Sequence, residues 1–375
     1  MTVSYFNHVK ISGIKTVIPE NYIDIDDELE FFDNNPKKLK RAKKMVGYGR
    51  RYLADDLTTV TDMAIDAAEK LFKEMSIDKN DIDLLIFVNQ KPDFREPSDA
   101  CIAHGRLGLK AACATLPLVI GCSGYPYGLW LATALMQSGF FKKCLLLAGD
   151  VPARATDQKD RKKAQIFSDG ASATILEYTL EDRFSYFVNG SDGKRWEAII
   201  TPFGGMRLPL DKDAFDIEET DEDGNKWRAN LALMKGTDVF NFTMDVAPKL
   251  VHDILSVAHW PKEEVDLYAI HQANKQIVEN IITIAEIPAQ KTPIDVFSKY
   301  ANSSTNSVVT VVCDQHRPLE KVVLCAFGVG LSWAAAAVDL RGMYNGGIST
   351  YIPPQDRPTR EEQIRHWINY FRGEE

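Results

Sequence analysis

The stretch Leu116-Pro-Leu-Val-Ile-Gly-Cys-Ser-Gly-Tyr125, followed by the apolar residues 126–136, decides the fold of this chain. The first part is typical of a short β-branched strand, and the second is long enough for a buried helix. Gly121 and Gly124 allow a tight turn between them, which would aim the sulfur of Cys122 into a pocket. The positive end of the helix dipole favours a thiolate there. A buried, unreactive cysteine is the alternative interpretation.

Length and composition narrow the possibilities. With 375 residues, of which 45% are hydrophobic, the chain exceeds the size at which a single core usually stops growing. We therefore expect two domains or an internally duplicated fold. The formal net charge of −9 argues against nucleic acid as a partner. No segment has the uninterrupted apolar length of a membrane span, and the N-terminus lacks the pattern of a secretory signal.

The cysteines indicate the compartment. Most of the six cysteines lie in apolar segments, and no two of them form a CxxC pair. This usage is typical of reduced thiols in a cytoplasmic protein. It argues against a disulfide framework and against a zinc site.

Two pairs of similar segments indicate an internal duplication. Residues 82–90 resemble residues 265–272, and residues 142–149 resemble residues 320–328, in the same order. Each is an apolar run preceded by charged residues, and helical segments alternate with these runs. The pattern predicts two α/β units, residues 1–180 and 181–375.

Two further segments interrupt or follow these units. The region around 205–230 is acidic at its centre and is predicted to be an inserted surface excursion. The residues after 340 are predicted to form a tail that ends in an amphipathic helix over 360–371.

Three further sites at strand–loop junctions accompany Cys122. His271 ends the predicted strand 267–270, and Asn302 lies in a Ser-rich loop before the apolar run 308–312. Such junctions are where α/β folds place functional residues. The loop Gly328-Val329-Gly330 could direct backbone N–H groups at an oxyanion. Each site alone has an ordinary structural explanation, but the order Cys, His, Asn favours a catalytic constellation.

At these residues the chain resembles the β-ketoacyl-acyl-carrier-protein synthase III family of the thiolase fold. The matching motifs are Gly121-Cys122-Ser123-Gly124, His271-Gln272-Ala273-Asn274, Ala301-Asn302-Ser303-Ser304 and Ala326-Phe327-Gly328-Val329-Gly330. The resemblance implies a five-layered αβαβα architecture, an acyltransferase activity, a homodimer, and no metal or cofactor.

The resemblance also implies residue roles. Cys122 is the expected nucleophile that takes an acyl group from a thioester, and the backbone N–H groups of Cys122 and Val329 are the expected oxyanion hole. His271 and Asn302 are expected to stabilise the enolate that a malonyl-type thioester forms on losing CO2. Substrate-binding residues are expected in the same motifs, at Asn274, Lys275 and Gly328.

The chain departs from the family near its N-terminus. Arg41 and Met45 stand where the initiating enzymes carry a Trp and an Arg that hold the coenzyme A adenine, and residues 37–44 are strongly basic. Arg41, Lys43 and Lys44 are either part of a solvated helix face or a docking patch for an acidic acyl carrier protein. The acyl donor, acyl-CoA or acyl carrier protein, stays open at this point.

Two other functions remain compatible with the sequence. The first is an acyltransferase that passes the acyl group to a hydroxyl or amine without decarboxylation. The second is a catalytically silent partner subunit of the same fold, against which the retained Cys122, His271 and Asn302 argue. A papain-like hydrolase also uses Cys, His and Asn, but the flanking motifs are those of the thiolase fold.

Overall fold

Two mixed β-sheets carry the fold in the computed structural model, which describes residues 1–210, 217–222 and 224–373. The first sheet has six strands, in the spatial order β17 (Tyr344–Tyr351), β2 (Val9–Pro19), β8 (Gly170–Tyr178), β7 (Lys143–Asp150), β5 (Leu84–Val88) and β6 (Ala114–Leu118). The second has five, in the order β1 (Thr2–Phe6), β9 (Ser185–Ser191), β16 (Ser332–Asp339), β15 (Lys321–Gly328) and β14 (Leu267–Ile270).

Three two-stranded ribbons flank these sheets. They pair β3 (Tyr22–Asp24) with β4 (Arg50–Tyr52), β10 (Ile199–Ile200) with β13 (Leu233–Met234), and β11 (Glu218–Thr220) with β12 (Lys226–Arg228).

The two pairs of similar segments occupy equivalent places in the sheets. β5 and β7 are parallel, with Leu84 opposite Cys144, and β14 and β15 are parallel, with Leu267 opposite Val322. In each sheet the next strand, β8 or β16, then runs antiparallel. The predicted duplication is therefore present in the order and direction of the strands.

Helices form three layers around and between the sheets. The helices are α1 (Pro36–Val46), α2 (Val60–Met75), α3 (Asp99–Leu107), α4 (Gly124–Met136), α5 (Gly236–Ala258), α6 (Lys275–Ala285), α7 (Val296–Tyr300), α8 (Ser307–Cys313) and α9 (Arg360–Arg372). One apolar cluster packs α4 and α8 between the two sheets. A second packs α2 and α3 on the outer face of the first sheet, and a third packs α5 and α6 on the outer face of the second. This is the predicted αβαβα order.

Strand β5 shows why its sequence is apolar throughout. Successive side chains of a strand point to opposite faces of the sheet. Leu84, Ile86 and Val88 pack into the central layer, whereas Leu85 and Phe87 pack against the outer helices. A strand that is covered on both faces needs an unbroken hydrophobic run. Helix α4 is apolar around most of its circumference for the same reason, because it lies between two sheets.

The strands at both ends of the chain each belong to the sheet that is formed mainly by the other half of the sequence. β1 belongs to the second sheet, where Thr2 lies opposite Asn189. β17, in the predicted tail, pairs in parallel with β2 of the first sheet. The division at residue 180 remains a prediction. The amphipathic helix expected in the tail is present as α9, whose Trp367 ring lies 5.8 Å from the ring of Phe94.

The described part of the region around 205–230 packs against the body of the protein; residues 211–216 and 223 lie outside the described residues. The side-chain amide of Asn225 donates to Asp160 at 3.0 Å, and Arg228 pairs with Asp157 at 3.0 Å. The Ala232 N–H that follows donates to the carbonyl of Ala155 at 2.9 Å. These contacts fix the position of residues 232–234, which line the cavity described below.

The loop after α7 contains one alanine in a backbone conformation that suits glycine. Ala301 has φ +50° and ψ −156° and is buried. Non-glycine residues in this region of backbone space cost about 1–3 kcal/mol. The surrounding contacts hold Ala301 there, since its N–H donates to Phe297 and the next residue is bridged to Phe167.

We predict that Ala301→Gly raises the free energy of unfolding by about 1 kcal/mol, because relief of strain exceeds the larger entropy of glycine in the unfolded chain. Urea denaturation of both proteins measures the difference. The control is Ala247→Gly inside α5, which should lower stability, since glycine costs about 1 kcal/mol in a helix interior. A lower stability of Ala301→Gly would contradict the prediction.

Candidate active site

Cys122 lies in the turn between β6 and α4. The turn is tight, because the Gly124 N–H donates to the carbonyl of Gly121 at 2.6 Å. A Cβ at Gly121 would stand 2.5 Å from Cγ1 of Val329 and 2.2 Å from Oε1 of Gln90, so a side chain there would have to displace both neighbours. The strand, turn and helix expected from the sequence are therefore present around Cys122.

Burial dominates the ionisation of Cys122. It raises the pKa of the thiol to about 11, and the hydroxyl of Ser304 with the backbone N–H groups of Cys122 and Val329 offsets only part of this. Ser304 Oγ lies 3.8 Å from the sulfur. The helix dipole favours a thiolate at this position, but desolvation raises the pKa of the thiol by more than these hydrogen bonds lower it.

The end of β15 lies directly against Cys122. A Cβ on Gly328 would stand 2.7 Å from Cβ and 2.9 Å from Sγ of Cys122, closer than any side chain could approach. The backbone N–H groups of Cys122 and of the following residue, Val329, both lower the pKa of the thiol. Both residues line one cavity, and their role as an oxyanion hole remains a prediction.

His271 follows β14 and is held on two sides. Its backbone N–H donates to the carbonyl of Cys325 at 2.8 Å, and Nδ1 lies 2.5 Å from Oγ of Ser307 on α8. The ring packs edge-on to Phe327, with centroids 5.4 Å apart. Burial lowers the pKa of His271 to about 3, so the imidazole is neutral at physiological pH.

Asn302 is fixed by its backbone and by one end of its amide. Its N–H donates to Ile166 and its carbonyl accepts from Ser168, as in a parallel bridge. Its Oδ1 accepts the N–H of Ser304 at 2.9 Å. Since the oxygen is occupied, the NH₂ group is the end that can donate to a ligand.

These residues surround one cavity of about 330 Å³. Cys122, His271, Asn302, Asn274, Gly328 and Val329 all line it. Its walls are otherwise largely apolar and include Ile166, Phe167, Leu233, Met234, Val239 and Phe240. The cavity thus combines a thiol, a neutral imidazole and an amide with a surface that suits an acyl chain.

The basic residues singled out in the sequence lie outside this cavity. Lys275 opens α6, next to Asn274, and its Nζ donates to the carbonyl of Lys44 at 3.3 Å. Lys43 pairs with Asp26 at 2.7 Å, and Arg41 Nε lies 3.5 Å from Sδ of Met45. Helix α1 therefore stands beside the cavity wall without entering it.

Sequence reasoning assigned no role to three polar side chains near the catalytic candidates. Asp150, at the end of β7, lines the cavity with Ser304, and Ser307 bonds the His271 ring. Ser304 stood in the motif around Asn302, and Asp150 directly follows an apolar run. These positions were the available signals, but the contacts join residues far apart in the chain.

Two classes of feature are absent from the described part of the chain. No group of three or more His, Cys, Asp or Glu side chains there is placed to hold a metal ion. Nor does any helix within it have the length and apolar character needed to cross a membrane.

Comparison with known proteins agrees with the fold and the motifs. Models of 3-oxoacyl-(acyl-carrier-protein) synthase III and of its C-terminal region match residues 118–193 and 255–340. A Campylobacter jejuni protein that carries the name of a 3-oxoacyl-(acyl-carrier-protein) synthase 3 is 38% identical over 348 residues, which are 92% of this chain and 98% of the relative.

Another relative and a crystal structure extend the comparison. A Clostridium perfringens β-ketoacyl-(acyl-carrier-protein) synthase III is 29% identical over 89% of this chain and 99% of its own length. The crystal structure of a Burkholderia xenovorans 3-oxoacyl-(acyl-carrier-protein) synthase superposes with a TM-score of 0.85 at 32% identity, over 93% of this chain and 99% of that one. This chain therefore belongs to the 3-oxoacyl-(acyl-carrier-protein) synthase III family of thiolase-fold acyltransferases.

Proposed function

We propose that the cavity catalyses a decarboxylative condensation in which Cys122 carries the acyl group. The observation that supports this most is the convergence of Cys122, His271 and Asn302 on one largely apolar cavity. The reaction divides into two half-reactions, which use different groups of the site.

In the first half-reaction the sulfur of Cys122 attacks the carbonyl carbon of an acyl thioester. A C–S bond forms to the enzyme, and the C–S bond to the carrier breaks. The negative oxygen of the tetrahedral intermediate would lie between the N–H groups of Cys122 and Val329. Such a donor typically contributes about 100- to 1,000-fold to the rate.

In the second half-reaction a malonyl-type thioester would bind with its carbonyl oxygen against His271 and Asn302. Its carboxylate leaves as CO2, and the electrons of the broken C–C bond form an enolate. That enolate attacks the acyl carbon on Cys122 and releases its sulfur. A neutral imidazole that accepts from Ser307 at Nδ1 carries its proton on Nε2, and can donate it to the enolate oxygen.

We predict that His271→Ala and Asn302→Ala each slow CO2 release from a malonyl thioester by about 100-fold or more, because each removes a donor to the enolate. Acylation of Cys122 should change by less than about tenfold, since the oxyanion hole is intact. A CO2 assay and intact-mass time courses measure the two half-reactions. Equal losses in both would mean that these residues act chiefly on the thiol.

His104→Ala is a matched control for the first variant, because His104 lies on α3, outside the cavity, and bonds a backbone carbonyl. It should change neither half-reaction. Because the pKa of His271 is about 3, CO2 release by the unaltered enzyme should stay level between about pH 8 and about pH 5. CO2 release also separates condensation from acyl transfer to a hydroxyl or amine, which releases none.

We further propose that an acidic acyl carrier protein delivers the acyl group and docks on α1. Lys40 and Lys44 on this helix are exposed, and Lys44 adjoins Lys275 at the start of α6. No aromatic ring occupies the positions of Arg41 and Met45, where coenzyme A adenine would stack. A cluster of like charge speeds encounter with an oppositely charged partner.

We predict that acyl carrier protein acylates Cys122 faster than the matching acyl-CoA does. Lys40→Glu/Lys44→Glu should slow acylation by the carrier about tenfold or more and leave acylation by acyl-CoA nearly unchanged, because only the carrier has the complementary charge. Rapid-quench mass spectrometry gives both rates. The carrier rate should also fall as salt rises.

The matched control is Lys73→Glu/Lys142→Glu, which makes the same change of charge at the far end of the first sheet. Lys73 is in the last turn of α2, and Lys142 precedes β7, whose opposite end carries Asp150. This control should leave both donors unaffected. An acyl-CoA rate equal to the carrier rate, or equal losses in the two double variants, would contradict the docking proposal.

We propose a homodimer in which two copies meet at β6. This strand forms the edge of the first sheet, and Leu116 and the following Val119 are exposed, Val119 by 73%. An apolar strand edge is a template for pairing with another chain. A cytoplasmic location is supported by the six cysteines, which are all free.

A further inference from the structure

The half-buried thiol of Cys122, which lines the cavity, lacks an evident base. Its high pKa keeps it protonated, yet the sulfur must lose its proton to attack a thioester. His271 is poorly suited to accept that proton, because burial lowers its pKa to about 3 and its Nδ1 is occupied by Ser307. In the described part of the chain, the side chain that hydrogen-bonds the sulfur is Ser304, at 3.8 Å.

Ser304 connects the sulfur to a carboxyl group. Its Oγ donates to Oδ2 of Asp150 at 3.0 Å. The backbone around Ser304 is fixed, with φ +52° and with the N–H bonded to Oδ1 of Asn302. The hydroxyl therefore stands between a thiol and a carboxylate, in a position to accept a proton from one and pass its own to the other.

Asp150 is 1% exposed and lines the cavity at the end of β7. Burial raises the pKa of its carboxyl, whereas the ammonium of Lys91 and the N–H groups of Val151 and Gln90 lower it. Lys91 also lines the cavity. Hydrogen-bond donors therefore surround the Asp150 carboxyl, and they offset part of the cost of burying its charge.

We propose that Ser304 and Asp150 form a proton relay that deprotonates Cys122 during acylation. The thiol proton moves to Ser304 Oγ as the hydroxyl proton moves to Asp150, and the sulfur electron pair forms the C–S bond. When the carrier thiolate leaves, Ser304 Oγ gives its proton to that thiolate and takes back the proton held by Asp150, which restores the hydroxyl and the carboxylate. This step rests on the proposed role of Cys122 as nucleophile.

The proton relay keeps the net charge of the site constant during acylation, which favours it. An ionised Asp150 opposes formation of a thiolate, and its charge is among the causes that raise the pKa of Cys122. Transfer of the proton onto Asp150 neutralises that carboxylate at the moment the sulfur becomes negative. The other titratable groups that face the pair are Lys91, His271 and Asp169.

The test compares Asp150→Asn and Ser304→Gly with the unaltered enzyme in single-turnover acylation by an acyl thioester. Asparagine keeps the size of Asp150 but accepts no proton, and glycine tolerates the positive φ of Ser304. Each variant should acylate Cys122 at least about 100-fold more slowly at neutral pH. Condensation by enzyme that has been acylated by long incubation should change less than about threefold, because decarboxylation needs no base.

The pH profile distinguishes a relay from a merely structural role. In both variants the acylation rate should rise about tenfold per pH unit above neutrality, because hydroxide replaces the missing base, whereas the unaltered enzyme should rise less steeply. Ser303→Ala is the matched control, since the neighbouring Oγ is buried and has no hydrogen-bond partner. It should leave the rate and the profile unchanged.

Several results would overturn the relay. These are an unchanged acylation rate in both variants, equal losses in the two half-reactions, or a variant profile parallel to that of the unaltered enzyme. If one variant fails to fold, the other decides the outcome. Failure of the proposed function would look different, because the unaltered enzyme would then gain no acyl group on Cys122.

Discussion

The close approach of Gly328 to Cys122 is the contact on which the site depends. It joins the end of β15 in the second sheet to the turn after β6 in the first, with no room for a Cβ between them. Because the two strand ends meet there, the backbone N–H of Val329 lies close enough to lower the pKa of the Cys122 thiol. A larger residue at 328 would push the sheets apart at this point and separate the two N–H groups that we propose as the oxyanion hole.

Burial gives the site its chemical character. The packing of the central layer favours the neutral form of both groups, because it raises the pKa of the Cys122 thiol and lowers the pKa of His271. A neutral donor suits an enolate formed by loss of CO2, because no proton has to be abstracted from carbon. Formation of the acyl-enzyme makes the opposite demand, since the thiol has to lose its proton. The two half-reactions therefore place different requirements on one cavity.

Local patterns in the sequence were sufficient to predict the strand, turn and helix around Cys122 and the position of His271 after β14. The helix after His271 begins at Lys275, and the side chain of Asn274 caps it by accepting the N–H of Ile277. The motif around Asn302 identified the loop, but not the strained conformation of Ala301 within it.

Features that depend on distant residues could not be predicted in this way. The pairing of β17 with β2 joins the two ends of the chain, and the contact between Ser304 and Asp150 spans 154 residues. The ionisation of Cys122 also depends on such features, because a helix dipole contributes about 1 kcal/mol, whereas burial can shift a pKa by about 3–5 units. The degree of burial depends on how both sheets pack together, and a short stretch of sequence carries no information about that packing.

The nucleophilic role of Cys122 is tested most directly by intact-mass spectrometry of the folded protein and of Cys122→Ala after incubation with an acyl carrier protein loaded with a short acyl chain. The unaltered chain should gain the mass of one acyl group, and peptide mapping should place it on Cys122. The Cys122→Ala chain should gain none while keeping its melting temperature. An acyl adduct of the same mass on Cys122→Ala would contradict the assignment of the nucleophile.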